Sequence, residues 1–175
     1  MVEEMLRNDY RGQVCSIASA LEVIGERWSL LIIRDIFLGV RRFDELQAEL
    51  GIARNVLQAR LMRLAEQGVI TRRPYQERPP RHEYRLTEKG LDLWPTVVAL
   101  MRWGDAHAAS PAGPPIVLEH RGCGGAVDEH RMCEACGAPL TVRDVRALPG
   151  PGVPPDHPLL TRARRKTDAA EHATR

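Results

Sequence analysis

The chain has 175 residues, which is enough for one domain with an appendage but short for two full domains. Its composition is that of a globular protein, and its most apolar run, Trp28 to Ile33, is too short to cross a bilayer. A formal net charge of +2 excludes neither basic nor acidic partners. The distribution of charge along the chain says more about the partners than the total does.

Two apolar helices are predicted first, and the second of them is the core helix. Residues 15–25 place Ile17, Leu21 and Ile24 on one helical face. Residues 27–39 are apolar almost all round, which predicts a buried central helix that ends at Gly39. Cys15 stands at the start of the first helix, where the helix dipole favours a thiolate, so it is a candidate redox-sensing residue. The alternative for Cys15 is a small buried core residue.

The next two helices are joined by a tight turn. Residues 41–50 predict a short helix that ends at Gly51, and residues 54–67 predict a longer helix that stops at Gly68. Arg41 and Arg42 precede the shorter helix and are placed to hold a phosphate.

The longer helix has two chemically different faces. Its buried stripe consists of Leu57, Leu61, Leu64 and Ala65. The opposite side carries amide, methyl and guanidinium groups, which belong to Asn55, Ala59, Met62 and Arg63, with Gln58 and Arg60 on the flanks and Arg54 at the helix start. Amides can bond adenine, guanidinium groups can bond guanine, and methyl groups can touch thymine in the major groove. We therefore expect DNA contacts from Arg54, Asn55, Gln58, Ala59 and Met62. Arg54 is expected to contact either the DNA backbone or a base.

A basic hairpin is predicted to follow. Residues 69–73 and 82–86 are strand-like, and the proline-rich segment 74–80 forms the tip between them. From Arg54 to Lys89 the chain has nine Lys or Arg against four Asp or Glu, a footprint typical of nucleic-acid binding. The hairpin residues expected to contact phosphate or the minor groove are Arg73, Arg78 and Arg81. A solvated surface in an arginine-rich chain is the alternative.

The last predicted helix covers residues 88–108, with Thr87 as its N-cap and a bend at Pro95. It carries two apolar stripes, which are Leu91, Trp94, Val98 and Met101 on one face and Leu93, Val97 and Leu100 on the other. One face can pack on its own domain, and the other is most simply covered by a second copy of the chain, which predicts a homodimer. Full burial in a monomer is the alternative.

The remainder of the chain divides by composition. Residues 1–14 form an N-terminal arm, residues 15–109 the main domain, and residues 110–115 a linker. Residues 116–148, called here the cysteine unit, contain three of the four cysteines. Residues 149–175 are rich in proline and charge and predict a disordered tail.

The cysteine unit contains a pattern typical of zinc knuckles. His120 and Cys123 are separated by two residues, as are Cys133 and Cys136, and a glycine follows each pair. Three thiolates and one imidazole favour Zn(II), and four protein ligands leave no open position, which predicts a structural site. His130 could replace His120. A disulfide, free thiols and a redox-active C-x-x-C pair remain as alternatives.

A resemblance becomes plain from the segments "GERWSLLIIRDIFLGVRRFDELQAELGIARNVLQARLMRLAEQGVITRRPY" and "HEYRLTEKGLDLWPTVVALMRWGD". Together with the Cys-Ser-Ile start, they resemble the HxlR-type bacterial transcriptional regulators, relatives of the MarR group, over roughly residues 15 to 107. The resemblance implies a winged-helix dimer, joined mainly through its first and last helices, that binds operator DNA. Some members carry a redox-sensing cysteine at the position of Cys15. Many lack a cysteine extension.

The expected fold is mainly α with a small β-hairpin wing, a winged helix-turn-helix, plus a small zinc-ribbon-like unit. The expected function is a non-enzymatic repressor that binds an inverted-repeat operator as a homodimer and responds to a redox signal or a small ligand. Because residues 1–12 are charged and not apolar, we expect no signal peptide, no membrane association and a cytoplasmic protein at the nucleoid. The alternative is a zinc-ribbon interaction module or thiol redox protein that uses the winged domain as a scaffold.

Overall fold

The computed structural model describes residues 10, 12–108 and 111–154. The chain divides into two compact units at Gly90–Leu91. Most of the expected N-terminal arm, and the expected tail from residue 155 onward, lie outside the described residues. The helices are α1 (Ser16–Ile24), α2 (Ser29–Phe37), α3 (Phe43–Leu50), α4 (Arg54–Glu66), α5 (Glu88–Leu91) and α6 (Trp94–His107). The strands are β1 (Ile70–Gln76), β2 (Arg81–Leu86), β3 (Ile116–His120) and β4 (Val145–Pro149).

The first unit is built around α2, as its all-round apolar sequence predicted. Ile32 and Ile33 are fully buried. The inner stripe of α4 is also confirmed, since its three leucines are buried, whereas Ala65 at the edge of the stripe is exposed. A buried apolar stripe of this kind contributes most of the free energy that holds a helix in place. One face of α4 is thereby fixed to the core, and the opposite face is left to solvent.

The turn between α3 and α4 depends on Gly51. Its backbone has φ +61, in the left-handed region, and its N–H donates to the carbonyl of Gln47 at 2.9 Å. Glycine adopts this conformation without the steric penalty of a side chain, so α3 ends there as predicted. Ile52 is buried just beyond the turn and leads directly into α4.

The predicted wing is present and longer than expected. Strands β1 and β2 pair antiparallel from Ile70 opposite Leu86 to Pro74 opposite His82, and the register shifts before Gln76 meets Arg81. The backbone N–H of Tyr84 donates to the carbonyl of Arg41 at 2.7 Å, which joins the wing to the start of α3. The wing therefore has a fixed position beside the helix pair.

The segment predicted as one helix over residues 88–108 is two helices. Thr87 caps α5 as expected, since its hydroxyl accepts from the N–H of Gly90 at 3.2 Å. A turn at residues 92–93 then separates α5 from α6, and Pro95 lies in the first turn of α6. Proline lacks the N–H that a continuous helix would use, and its ring clashes with the preceding turn, so the chain breaks where only a bend was predicted.

The second unit contains α6 and the cysteine unit. Strands β3 and β4 pair antiparallel from Ile116 opposite Pro149 to His120 opposite Val145. Ordered structure extends past the expected end at residue 148, because the N–H groups of Gly150 and Gly152 donate to Pro115 and Pro114. The division also differs from the expected 15–109 domain, since it groups α6 with the cysteine unit.

Helix α6 is only partly covered in a single chain. Trp94, Val97 and Val98 are buried, while Leu100 and Trp103 are 49% and 63% exposed. Leu100 belongs to one of the two apolar stripes seen in the sequence. The other predicted dimer helix, α1, is similar, since Ile17 is 70% exposed beside a buried Ala18.

Candidate nucleic-acid interface and candidate metal centre

The outer surface of α4 is exposed along its whole length. It is called here the reading face and consists of Arg54, Asn55, Gln58, Ala59 and Met62. Every one of these side chains is open to solvent, and Met62, a large apolar residue, is 59% exposed. Amide, methyl and guanidinium groups thus share one accessible helical surface opposite the buried leucines.

Two arginines, Arg54 within the reading face and Arg42 outside it, rest on aromatic rings. The guanidinium of Arg54 lies 4.6 Å from the ring centre of Phe43 and 3.7 Å from the carboxylate of Asp44. The guanidinium of Arg42 lies 4.7 Å from the ring centre of Tyr75 on the wing. Such cation–π contacts orient a guanidinium while leaving its N–H groups free to bind an anion. The sequence did not indicate these aromatic partners, because they depend on how α3, α4 and the wing meet.

The wing exposes the basic residues that the sequence singled out. Arg73 lies on β1, Arg78 in the turn and Arg81 at the start of β2, and all three are exposed. Arg72 differs, because its guanidinium lies 2.8 Å from Nδ1 of His82 on the facing strand. The wing therefore presents cationic groups at its tip and on both of its strands.

Arg63, which the sequence placed on the outer side of α4, and Arg60, which it placed on the flank, both point away from the reading face. Arg60 donates to the carbonyl of Arg27, and Arg63 donates to the carbonyl of Glu22. These carbonyls lie at the end of α1 and in the turn after it, where backbone acceptors lack partners within a helix. Long side chains on the flank of α4 can reach them, so the two guanidinium groups turn inward.

The predicted metal ligands come together. One ligand atom from each of His120, Cys123, Cys133 and Cys136 lies within 4.8 Å of the others. Nδ1 of His120 is 3.3 Å from the Cys123 sulfur and 3.4 Å from the Cys136 sulfur, and the sulfurs of Cys123 and Cys133 are 3.4 Å apart. Tetrahedral zinc with Zn–S near 2.3 Å and Zn–N near 2.0 Å requires ligand separations of roughly 3.5–3.8 Å. The four atoms are thus positioned to bind a metal ion.

The structure selects His120 over His130 for this cluster. Nε2 of His130 lies 3.5 Å from the carboxylate of Glu129, and the His130 side chain is 79% exposed. His120 instead ends β3, which carries its ring to the sulfurs. The sequence left both histidines open because their distances from the cysteines along the chain are similar.

Glycines shape both halves of the metal cluster. The N–H of Gly124 donates to His120, and the N–H of Gly137 donates to Cys133, each at 2.8 Å. Both glycines have positive φ, so each knuckle closes in a conformation that other residues adopt only with strain. Gly125 has a different role, since a Cβ there would lie 2.5 Å from the sulfur of Cys133.

The thiols of the cluster do not have equal acidity. Burial raises the pKa of Cys133, but the backbone N–H groups of Cys136 and Ala135 and the neighbouring thiols outweigh it and lower that pKa to about 6. At Cys123 the N–H of Gly125 favours the thiolate, yet the neighbouring Cys133 raises its pKa overall. Thiolates packed this closely repel one another, so ionisation of one cysteine disfavours ionisation of the next. A bound cation would offset that repulsion, so the cluster is suited to a cation.

Cys15 is not a member of this cluster. It is the N-cap of α1 and is exposed, so it is not the core residue that the sequence left as an alternative. The backbone N–H groups of Ala18 and Ile17 hold the pKa of the Cys15 thiol below its ordinary value.

Comparison with known proteins identifies several relatives. A family described as HxlR-like helix-turn-helix matches residues 23–111. Rv3095 of Mycobacterium tuberculosis (strain ATCC 25618 / H37Rv), named as an HTH-type transcriptional regulator, is 51% identical over 137 residues, covering 78% of this chain and 87% of the relative. Because only 115 residues precede the cysteine unit, this match extends into that unit.

Two solved structures are similar to the chain. The structure of PA1607, described as a candidate transcription factor, has a TM-score of 0.62 and 41% identity, covering 77% of this chain and 94% of that one. The redox regulator HypR in its oxidized form has a TM-score of 0.51 and 30% identity, covering 55% of this chain and 100% of that one. Within the described residues, no helix is long and apolar enough to span a membrane.

Proposed function

Since the chain belongs to the HxlR-like helix-turn-helix family of transcriptional regulators, we propose that it recognises operator DNA by inserting α4 into the major groove. The observation that carries this proposal is the reading face. Asn55 and Gln58 provide the amides that pair with adenine, and Ala59 and Met62 provide apolar contact for thymine. These groups are exposed on a helix that the core fixes from behind.

The arginines around the reading face are proposed to hold the DNA backbone. Arg42 and Arg54 are oriented by Tyr75 and Phe43, and the wing adds Arg73, Arg78 and Arg81. Phosphate contacts of this kind fix the register of a protein on the duplex and carry no base preference. Arg54, at the start of α4, is placed for either a phosphate or a base.

A homodimer is proposed as the binding form. The exposed apolar groups on α1 and α6, with Ile17 on the first and Leu100 and Trp103 on the second, are the surfaces that a second chain would cover. Two copies related by a two-fold axis bind an inverted repeat whose half-sites are separated by about one helical turn. We propose that such a dimer works as a repressor at the nucleoid in the cytoplasm.

A redox signal is the proposed effector, with a small ligand as the alternative. Cys15 is exposed and has a thiol whose pKa is lowered, and these properties make a cysteine reactive toward oxidants. One structural neighbour is named as a redox regulator.

The metal is proposed to be Zn(II) in a structural role. Three sulfurs and an imidazole nitrogen match its preferred ligands, and four protein ligands leave no position for a reacting water. When bound, the ion links the turn after β3 to the Cys133–Cys136 turn. A disulfide between Cys123 and Cys133 is the competing state for the same atoms.

The proposed function predicts sequence-specific binding. We expect the full chain, reduced and zinc-loaded, to bind DNA from upstream of its own gene at least about a thousandfold more tightly than a scrambled duplex of equal length at physiological salt. Fluorescence anisotropy over a range of salt concentrations measures both affinities. Genomic fragments selected by the protein provide a second source of DNA if the operator lies elsewhere. Equal binding to every selected and scrambled duplex would contradict the proposal.

A second prediction concerns Cys15. Because its lowered pKa produces thiolate at lower pH, we expect its alkylation by iodoacetamide to reach half its maximal rate at lower pH in the folded protein than in the urea-unfolded chain. Peptide mass spectrometry measures this rate for Cys15 alone. Equal pH midpoints of alkylation in the folded and unfolded protein would contradict the lowering of the Cys15 pKa by the N-terminus of α1.

A peroxide experiment separates the role of Cys15 from that of the candidate metal ligands. Peroxide treatment is expected to change operator binding by the wild type and to leave Cys15→Ser unaffected at low doses. A response of equal size in both proteins would assign the redox response to the cysteine unit.

A further inference from the structure

We propose that Arg60 and Arg63 are positioning residues, which set the DNA specificity of α4 without contacting DNA. This inference rests on the proposed function. It gives a role to two basic residues of the recognition helix whose side chains point away from the reading face.

Arg60 is held by two groups near the end of α1. Its Nε donates to the carbonyl oxygen of Arg27 at 3.2 Å, and its Nη2 lies 2.5 Å from the carboxylate of Glu26. The Arg60 side chain is only 26% exposed and that of Glu26 is 44% exposed. A guanidinium that makes both a charged and a neutral contact has a fixed plane as well as a fixed position.

Arg63 makes a second attachment one turn further along α4. Its Nη2 donates to the carbonyl oxygen of Glu22 at 3.1 Å, and its Nε is buried. Glu22 lies in the last turn of α1, so its carbonyl lacks an intrahelical partner and is available to this side chain. Two attachments three residues apart occupy the same flank of the helix.

The leucines behind α4 and these arginines contribute differently to its placement. Apolar packing is non-directional, so Leu57, Leu61 and Leu64 fix the depth of the helix more firmly than its rotation. Hydrogen bonds depend steeply on angle, and the two on the flank oppose rotation about the helix axis. A small rotation would misalign Asn55 and Gln58, whose bidentate bonds to base edges require defined geometry.

The contacts of Arg60 and Arg63 also connect α4 to α1 and the turn after it, and α1 is the helix proposed to carry the redox-sensing cysteine and part of the dimer surface. Helix α1 has Cys15 as its N-cap and exposes the apolar Ile17. Its last turn contains Glu22, which accepts from Arg63, and the turn that follows it contains Arg27, which accepts from Arg60. A change in the position of α1 would therefore reach the reading face through Arg60 and Arg63.

The test uses Arg60→Met, Glu26→Gln and the charge exchange Arg60→Glu with Glu26→Arg, all in the full-length, zinc-loaded protein. Binding to operator and scrambled duplexes is measured by anisotropy across a salt series, and circular dichroism confirms that each variant is folded. A positioning role predicts that both single variants lose roughly tenfold or more in the ratio of operator to scrambled affinity, comparable to losing one base contact. The salt dependence should stay unchanged, and the exchange should recover at least part of the ratio.

Glu26→Gln provides the sharpest distinction from a direct phosphate contact. If Arg60 bound phosphate, removing the acid beside it would tighten binding to all DNA, and Arg60→Met would weaken all DNA with a shallower salt slope. Either result would overturn the inference, as would unchanged ratios in both single variants. Arg63→Met, which keeps the apolar stem and removes the donors, gives an independent reading of the same effect. A wild type with no preference between duplexes would instead refute the proposed function.

Discussion

Cys136→Ser is expected to abolish metal retention and to unfold the cysteine unit while the first compact unit stays folded. Cys136 is an exposed member of the proposed metal cluster, so its substitution removes one sulfur ligand without opening a cavity in the core. The core of this unit is small, consisting of Leu118, Val127, Cys133, Leu140 and Val145. Segments of about 40 residues rarely fold without a metal, disulfide or partner.

The expected size of this effect follows from zinc energetics. Structural zinc binding contributes about 10–16 kcal/mol in small zinc domains, and loss of one of four ligands removes much of it. Zinc content per chain by mass spectrometry should fall from near one to near zero. Hydrogen exchange should show loss of protection in β3 and β4 and retained protection in α2 and α4.

The matched control for Cys136→Ser is Cys15→Ser, which removes an exposed thiol that lies outside the metal cluster. It should leave both zinc content and protection at wild-type values. Chelation of the wild type should reproduce the Cys136→Ser exchange pattern. A chelated protein that keeps full protection in β3 and β4 would refute a structural metal.

Asn55→Ala and Gln58→Ala are each expected to relax the DNA specificity of the protein. Each side chain is exposed on the reading face, and loss of one bidentate contact costs roughly 1–3 kcal/mol of preference for the correct base. Operator affinity should therefore fall by about 5- to 150-fold, while affinity for scrambled DNA stays nearly constant. Stability should hardly change, because neither side chain is part of the core.

Arg78→Ala provides the contrasting variant. Arg78 is exposed in the wing turn, and as a phosphate contact it should weaken operator and scrambled DNA alike. The slope of log affinity against log salt should become shallower by about one. Gln13→Ala removes an exposed amide outside α4 and should change neither quantity. An amide variant of α4 that keeps the full operator preference would remove that residue from the proposed base contacts.

Several parts of the fold could be read from the sequence because they depend on residues close together in the chain. The leucine spacing in α4 follows helical periodicity, so the buried and exposed faces of that helix were predictable. Gly51 marks the turn before α4 because few other residues tolerate its left-handed backbone. The His-x-x-Cys and Cys-x-x-Cys spacings indicated the candidate metal ligands for a similar reason, since each pair lies in one local turn.

Other features depended on contacts between distant segments. Arg60 and Arg63 turn inward because their acceptors lie 33 and 41 residues earlier in the chain, and helical periodicity contains nothing about those acceptors. The choice of His120 required the pairing of β3 with β4, and the aromatic supports of Arg42 and Arg54 required the meeting of wing and helices. The sequence by itself thus determined the helices, their apolar faces and the candidate ligands. Tertiary structure decided where the long polar side chains go, because several acceptors compete for each of them and only the folded chain fixes which one is in reach.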